Sequence, residues 1–441
     1  MDLLKDDIKK CFFRYLSLTF FGSCIASVYG LVDLAMVGNY HGYLGSSAMA
    51  LVMPVFNIVY SFGLLAGVGG ATLYSLKKGR EDGNYKVTFT SSIIYALILS
   101  FLAFIIIYVF DDELLIFFGG DKETFPLAKE YLSFLKFFTP FFVINQLLGA
   151  FLRNDNNPQL ATLAILIGGI INIVGDYVLI FTFDMGIKGA GLATSLCQVV
   201  SIIIMLTHFF TKKNTLKLEK PKNPLKDIVD ITKLGFGAFI VDFAVGIITV
   251  LFNRQIMKYC NNSYLSIYGV LINVAMFVQC TAYAIGQSSQ PIISINKGAN
   301  KNQRVLKAFK LGMLTSLIAG LFWFVVVIIN PNFILGLFME LTNEIKSVSN
   351  FVTRIYSISF IFLTINIYLT YYFQSIEKNS YAFIISCLRG FVISGLLILI
   401  LPLIFDGNVI WYVIPMSELI TLLISIYYIK KSTLQITKNQ L

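Results

Sequence analysis

The sequence predicts an all-α polytopic membrane protein: twelve transmembrane helices in two pseudo-symmetric six-helix lobes. Three observations predict this. Hydrophobic runs of spanning length recur twelve times, at 12–38, 46–76, 88–110, 126–152, 158–183, 188–211, 231–258, 263–296, 303–329, 348–376, 379–404 and 408–430. One polar stretch, 212–230, divides them six from six. The polar turns of the first half return in the second at a nearly constant spacing.

The runs come first. A helix rises 1.5 Å per residue, so about 20 apolar residues cross a hydrocarbon core roughly 30 Å thick. No run alternates with period two, which excludes a barrel. Composition agrees: 57% of the residues are hydrophobic, 13% are charged, and the mean hydropathy is +0.77. Water-soluble domains carry about 25% charged residues. The 40 Phe and 23 Tyr suit lipid-facing surfaces, interface belts and cavity walls.

Orientation follows from Lys and Arg. With the N-terminus inside, 26 of the 34 fall on inner segments and 8 on outer ones. The positive-inside rule then places both termini in the cytoplasm. It also accounts for the formal charge of +10, so no nucleic-acid partner is expected, only lipids and small molecules. The opening MDLLKDDIKK leads into a full-length span and reads as an anchor, not a cleaved signal. The six Cys are scattered without a CxxC pair and read as small buried hydrophobes.

The linker KKNTLKLEKPKNPLKDIVD carries Pro221 and Pro224. It sets the expected domains: a first lobe at 1–211, a cytoplasmic linker at 212–230 and a second lobe at 231–441. The lobes look like copies. SLKKGREDGNYKV after the second helix matches SINKGANKNQRVL after the eighth, with Gly79 and Gly298 219 residues apart. FLRNDNNP at 151–158 matches FQSIEKNS at 373–380. Six helices per copy give both halves the same orientation, as in transporters built from parallel repeats with substrate between them.

Polar groups at membrane depth carry the functional signal. Asp33, Asn172, Asp176 and Thr194 lie inside apolar runs of the first half. Asn172 and Asp176 share a helix face at i and i+4. Asp176 precedes the outer turn at Met185 by nine residues and Thr194 follows it by nine. Asp33 precedes the outer turn at Gly42 by nine as well. Nine residues are about 13 Å, close to the bilayer middle. Two carboxylates close together in low dielectric cannot both stay ionised without a cation, so the set takes a proton or a metal ion. Oxygen ligands alone suit H⁺ or a hard cation such as Na⁺. The plainer reading is that these groups glue helices by hydrogen bonding.

At these residues a family resemblance enters. The chain resembles the multidrug and toxic compound extrusion (MATE) transporters of the multidrug/oligosaccharidyl-lipid/polysaccharide flippase superfamily. The similar stretches are GLVDLAMVGNY at 30–40, ALVMPVFNIVYSFGLLAGVGGATLYSLKKG at 50–79, and INIVGDYVLIF with GIKGAGLATSLCQ in the fifth and sixth helices. LFNRQ at 251–255 and QPIISINKGAN at 290–300 resemble their second-half counterparts. The resemblance implies two lobes forming an outward-opening V, and export of organic cations against H⁺ or Na⁺. In one branch the cation site uses residues matching Asp33, Asn172, Asp176 and Thr194.

The chain also departs from the family. Many relatives carry a proline in the first helix, where bending accompanies protonation; 12–38 has none. Some branches place the cation site in the second lobe with an acid on helix seven, a place Asp242 fills here. The second-half counterparts of Asn172 and Asp176 are Ser394 and Ile398, so the charge is missing from that copy.

Substrate-binding candidates are Asp242, Asn273, Gln279 and Gln287, each equally readable as packing glue. Gln290 belongs with the polar set of helix eight. Glu418 reads as structural, and Arg389 as a side chain that snorkels to the inner interface. His41 and His208 fall near opposite faces and cannot share a metal. No HExxH, Ser-His-Asp set or nucleotide loop is present, so no enzymatic activity and no cofactor beyond a coupling ion are expected. The reading is a monomeric secondary exporter of amphipathic organic cations in a bacterial cytoplasmic membrane. The alternative is a flippase for lipid-linked oligosaccharide or peptidoglycan precursors. That task calls for Arg or Lys inside the cavity, and the basic residues here fall at loops, apart from Arg389 and Arg254.

Overall fold

The computed structural model describes residues 2–118, 120–260, 262–336 and 343–438. Among them are twelve helices long and apolar enough to cross a membrane: α1 (Ile8–Gly42), α2 (Leu44–Gly79), α3 (Tyr85–Val109), α4 (Thr124–Asn154), α5 (Pro158–Thr182), α6 (Gly186–Phe210), α7 (Pro224–Tyr259), α8 (Ser263–Gly298), α9 (Asn302–Ile329), α10 (Asn343–Ser375), α11 (Asn379–Ile404) and α12 (Gly407–Lys431). The chain is an integral membrane protein. Helices are what such sequences must form, because lipid offers no partner for a free backbone N–H or C=O. The twelve expected runs map onto these twelve helices. The structure starts α7 at Pro224, so 224–230 of the expected linker is helical.

The duplication extends to backbone detail. A short helix follows α3 at Asp111–Phe117 and another follows α9 at Pro331–Gly336. Glu81 and Asn300 both adopt positive φ at the turn after the second helix of each half. Asn156 and Glu377 do so after the fourth. The pair at Asn156 and Glu377 is 221 residues apart, one fewer than the match of 151–158 to 373–380 implies, so in the structure the counterpart of Arg153 is Gln374 and not Ser375. The tight outer turn between α1 and α2 rests on Gly42, at φ 66° and ψ −152°, which a side chain would oppose.

Two cores form, one mostly from each half; Ile231 and Leu234 of α7 join the first, and Leu64 and Val68 of α2 join the second. Val52, Phe89, Leu147 and Ile180 belong to the first, and Phe252, Leu271, Tyr371 and Trp411 to the second. The start of α1 crosses over. Leu3, Ile8, Cys11, Phe12 and Tyr15 are buried among Ile292, Ile295, Val305 and Tyr368 of the second half. Asn296 and Arg304 donate to the Leu3 carbonyl at 3.0 Å each, and Lys301 to that of Leu4 at 3.1 Å.

In the orientation expected from the Lys and Arg distribution, the inner face is the one carrying both ends of the helical array. There the halves are tied together. The Gln290 amide donates to Thr72 Oγ1 at 2.5 Å, Lys77 pairs with Asp227 at 3.0 Å, and Arg80 pairs with Glu377. α2 and α7 cross so closely that a methyl group on Gly69 would strike the Ile231 carbonyl, and one on Gly235 the Leu65 carbonyl. Gln290, a cavity-lining candidate by sequence, is therefore part of this inner closure.

The polypeptide after α6 is pinned by one buried acid. Asp155 accepts from His208 Nε2 at 2.9 Å, the Thr215 amide at 2.7 Å, Tyr74 at 3.0 Å and Lys78 at 3.1 Å. His41, at the opposite outer face, accepts the Ile187 N–H at 3.0 Å. The two histidines thus lie apart, as their positions in the sequence require.

Candidate functional site

The four first-half residues come together. Asn172 and Asp176 are fully buried; Asp33 and Thr194 are 5% and 7% exposed. Small residues make the approach possible. α6 opens GIKGAGLAT, and a side chain on Gly191 would strike the Tyr131 carbonyl of α4. Gly175 on α5 faces Ala193 on α6. This lets Asn172 Nδ2 donate to Thr194 Oγ1 at 3.2 Å, while Thr194 donates to Asp33 Oδ2 at 3.3 Å. Tyr131 donates to the same oxygen at 3.2 Å.

The donors run one way, from amide to hydroxyl to Asp33, and they stop there. Asp33 Oδ1, Asn172 Oδ1 and both oxygens of Asp176 are buried without a protein partner. Asp176 lies within Coulombic reach of Asp33. Four oxygens, two of them on a carboxylate that no protein group meets, form a cage for a proton or a small hard cation. Immediately after Asp176 the helix widens to π winding over Tyr177–Thr182, a local irregularity often found at functional sites.

Tyr131 was not anticipated. It lies seven residues inside the outer end of α4, close to the depth of the other four, and depth counting along α4 would have found it.

In the second half, Tyr283 Oη donates to Asp242 Oδ1 at 2.8 Å, and Asp242 Oδ2 is buried without a protein partner. Arg389 does not snorkel. Its guanidinium grips Glu418 Oε1 at 2.8 Å, with side chains 7% and 5% exposed, and Asn366 donates to Glu418 Oε2 at 2.7 Å. With both charges taken out of water, removing either partner would leave the other buried and uncompensated, which is the costly case. Asn273 spends its amide on its own helix, at Gly269 O, 3.0 Å away. Gln287 lies beside Tyr371 of the same half, and both Gln287 and Gln279 are half-buried. Arg153, next to the last residue of α4, turns back along that helix: its Nη1 lies 3.6 Å from where a Gly149 Cβ would stand.

Two six-helix halves around a midplane, with buried charge at membrane depth and no catalytic set among the described residues, define a membrane transporter. The MatE family model matches residues 19–178 and 237–400, once in each half, and the chain belongs to the MatE family of transporters. It is 25% identical over 430 residues to a multidrug export protein MepA of Staphylococcus saprophyticus, covering 95% of this chain and 93% of that one. Its fold matches an outward-facing multidrug resistance MATE family transporter with a TM-score of 0.90 at 20% identity, covering 99% and 97% of the two chains. It also matches a MOP superfamily transporter from Pyrococcus furiosus, described by the reverse polarity of its binding pocket, with a TM-score of 0.87 at 20% identity and 97% coverage of both.

Proposed function

We propose that this transporter is a secondary active multidrug exporter of amphipathic organic cations, exchanging them for H⁺ or Na⁺ by alternating access. The carrying observation is the first-half cage, in which Asp33 and Asp176 are buried together and four oxygens lack protein partners. A site used only as helix glue would spend those oxygens on neighbouring donors. Instead the arrangement leaves room for one transferable positive charge. A proton or Na⁺ entering from outside neutralises the pair, and its release inside restores it. In this reading Asn172 and Thr194 supply neutral oxygens and Tyr131 fixes Asp33.

The substrate would sit between the lobes, where Asp242 offers an unpaired carboxylate oxygen and Tyr283 and Tyr371 stand with ring centres 6.4 Å apart. Carboxylate and aromatic faces together favour planar organic cations. Two relatives at 25% and 24% identity are multidrug export proteins, which supports the same class. The division into lobes at 1–211 and 231–441, a monomeric state, a bacterial cytoplasmic membrane and cytoplasmic termini belong to this proposal.

The test is efflux of a cationic dye from proteoliposomes under separately imposed H⁺ and Na⁺ gradients. Efflux driven by one gradient and not by its absence is expected. No dye movement under either gradient, with lipid-linked sugar turnover instead, would replace this reading with the flippase.

A further inference from the structure

Arg389 is a buried charge that neither the cage nor the proposed substrate contacts use. It joins α11 to α12: Nη2 donates to Glu418 Oε1 at 2.8 Å, and Nε to the same oxygen at 3.1 Å. From α10, Asn366 donates to Glu418 Oε2 at 2.7 Å and to the Glu418 carbonyl at 2.8 Å. Asn366 Oδ1 is itself buried without a protein partner, as is Ser417 Oγ next along α12. The segment carrying Arg389 also packs on α7. A Cβ on Gly390 would stand 2.8 Å from that of Ala244 and 3.8 Å from the Ile240 side chain, two residues to either side of Asp242. Asp242, whose Oδ2 lacks a protein partner, lies within Coulombic reach of the guanidinium.

The internal repeat shows that helix packing alone does not require this pair. The helix starts Pro158 and Gly186 match Asn379 and Gly407, each 221 residues on. The same spacing sets Gly168 against Arg389, Cys197 against Glu418 and Asn145 against Asn366. In the first half this contact closes without charge. A Cβ on Gly168 would lie 3.2 Å from the Cys197 carbonyl and 2.2 Å from Ser201 Oγ, and Asn145 donates to the neutral Gln198. Charge is therefore shared out unequally between the copies. Among the described residues, none of the ion pairs includes Asp33 or Asp176, whereas the second half's acids have a guanidinium beside them. We propose that Arg389 is the second half's resident cation: a built-in positive charge that serves Glu418 and Asp242 in place of an exchangeable ion, and so confines ion coupling to the first-half cage. This inference deepens the exporter reading above and rests on it.

Without the guanidinium, Glu418 would be left buried and uncompensated, so the site should recruit a cation from solution. The measurement is the thermal unfolding midpoint of the purified full-length protein in detergent, at mildly alkaline pH, in NaCl and in choline chloride of equal ionic strength. Asp33→Asn with Asp176→Asn silences the first half and is the background. It should show no Na⁺-specific shift. Adding Arg389→Gln should raise the midpoint in NaCl on the order of 5 °C, and adding Glu418→Gln as well should abolish that rise. Arg389→Lys, which keeps a positive charge, should stay insensitive to Na⁺. An Na⁺-specific rise already present in the background would put an exchangeable ion beside Arg389 and overturn the inference. Arg389→Gln that folds without any Na⁺ response, or that fails to fold in both salts, would assign the pair to helix packing and overturn it too. Absence of gradient-driven dye efflux by the wild type would instead sink the exporter reading, whatever the midpoints, so the two failures are distinct.

Discussion

Asp155 gives the most quantitative prediction. It lies in the turn between α4 and α5, outside the membrane spans, and is fully buried. Burial alone would push its carboxyl up. The bonds from His208 and Thr215, with the Lys78 ammonium 3.1 Å away, outweigh that and bring it down from 3.8 to about 2. A depressed carboxylate contributes stability that is fully present above its unfolded value and is lost as pH falls through the folded one. The shift corresponds to about 2 kcal/mol, present at neutral pH and draining away between about pH 4 and pH 2. Asp155→Asn keeps the shape and removes the charge. It should cost about that amount at pH 7, read as a lower thermal unfolding midpoint in detergent. The gap between wild type and variant should narrow as pH drops from 4 toward 2. Equal midpoints at pH 7, or a gap that stays constant to the acid limit, would refute the reasoning.

Other consequences follow from close contacts. Gly69→Leu must push α2 away from the Ile231 carbonyl, and overpacking of this kind typically costs 1–3 kcal/mol. The closed inner face should lose roughly tenfold in population, and a cysteine at position 72 should label faster from that side; unchanged labelling would mean the crossing tolerates a side chain. Tyr131→Phe removes one of two donors to Asp33 Oδ2 and should slow gradient-driven efflux about tenfold without loss of folded protein. Asp242→Asn should weaken efflux of cations more than that of neutral compounds; equal loss of both, with lower expression, would assign Asp242 to helix packing.

The fold was legible because lipid leaves so few options. Runs of 23 or more apolar residues could only be helices, and the recurrent turns at Gly79 and Gly298 gave the duplication. The cage was legible because antiparallel helices joined by a short turn share a depth ruler: equal counts from Met185 put Asp176 and Thr194 side by side. What sequence could not give was rotation. Depth places Arg389 and Glu418 on their helices but not face to face, so their pairing was missed. The backward turn of Arg153 depends on χ angles and on an open groove at Gly149, neither of which leaves a periodic trace. The same holds for Leu3 to Tyr15, whose burial against the other half is a tertiary choice with no local signature.

The central claim is that Asp33 and Asp176 form one coupled unit, and the comparison of three variants tests it most directly. Asp33→Asn, Asp176→Asn and the double variant are reconstituted at equal folded amounts, and dye efflux is measured under an imposed H⁺ or Na⁺ gradient. Each single change should abolish gradient-driven efflux, and the double variant should be no worse than either, since all three disable the same unit. Wild-type efflux in Asp176→Asn at equal expression would contradict the account.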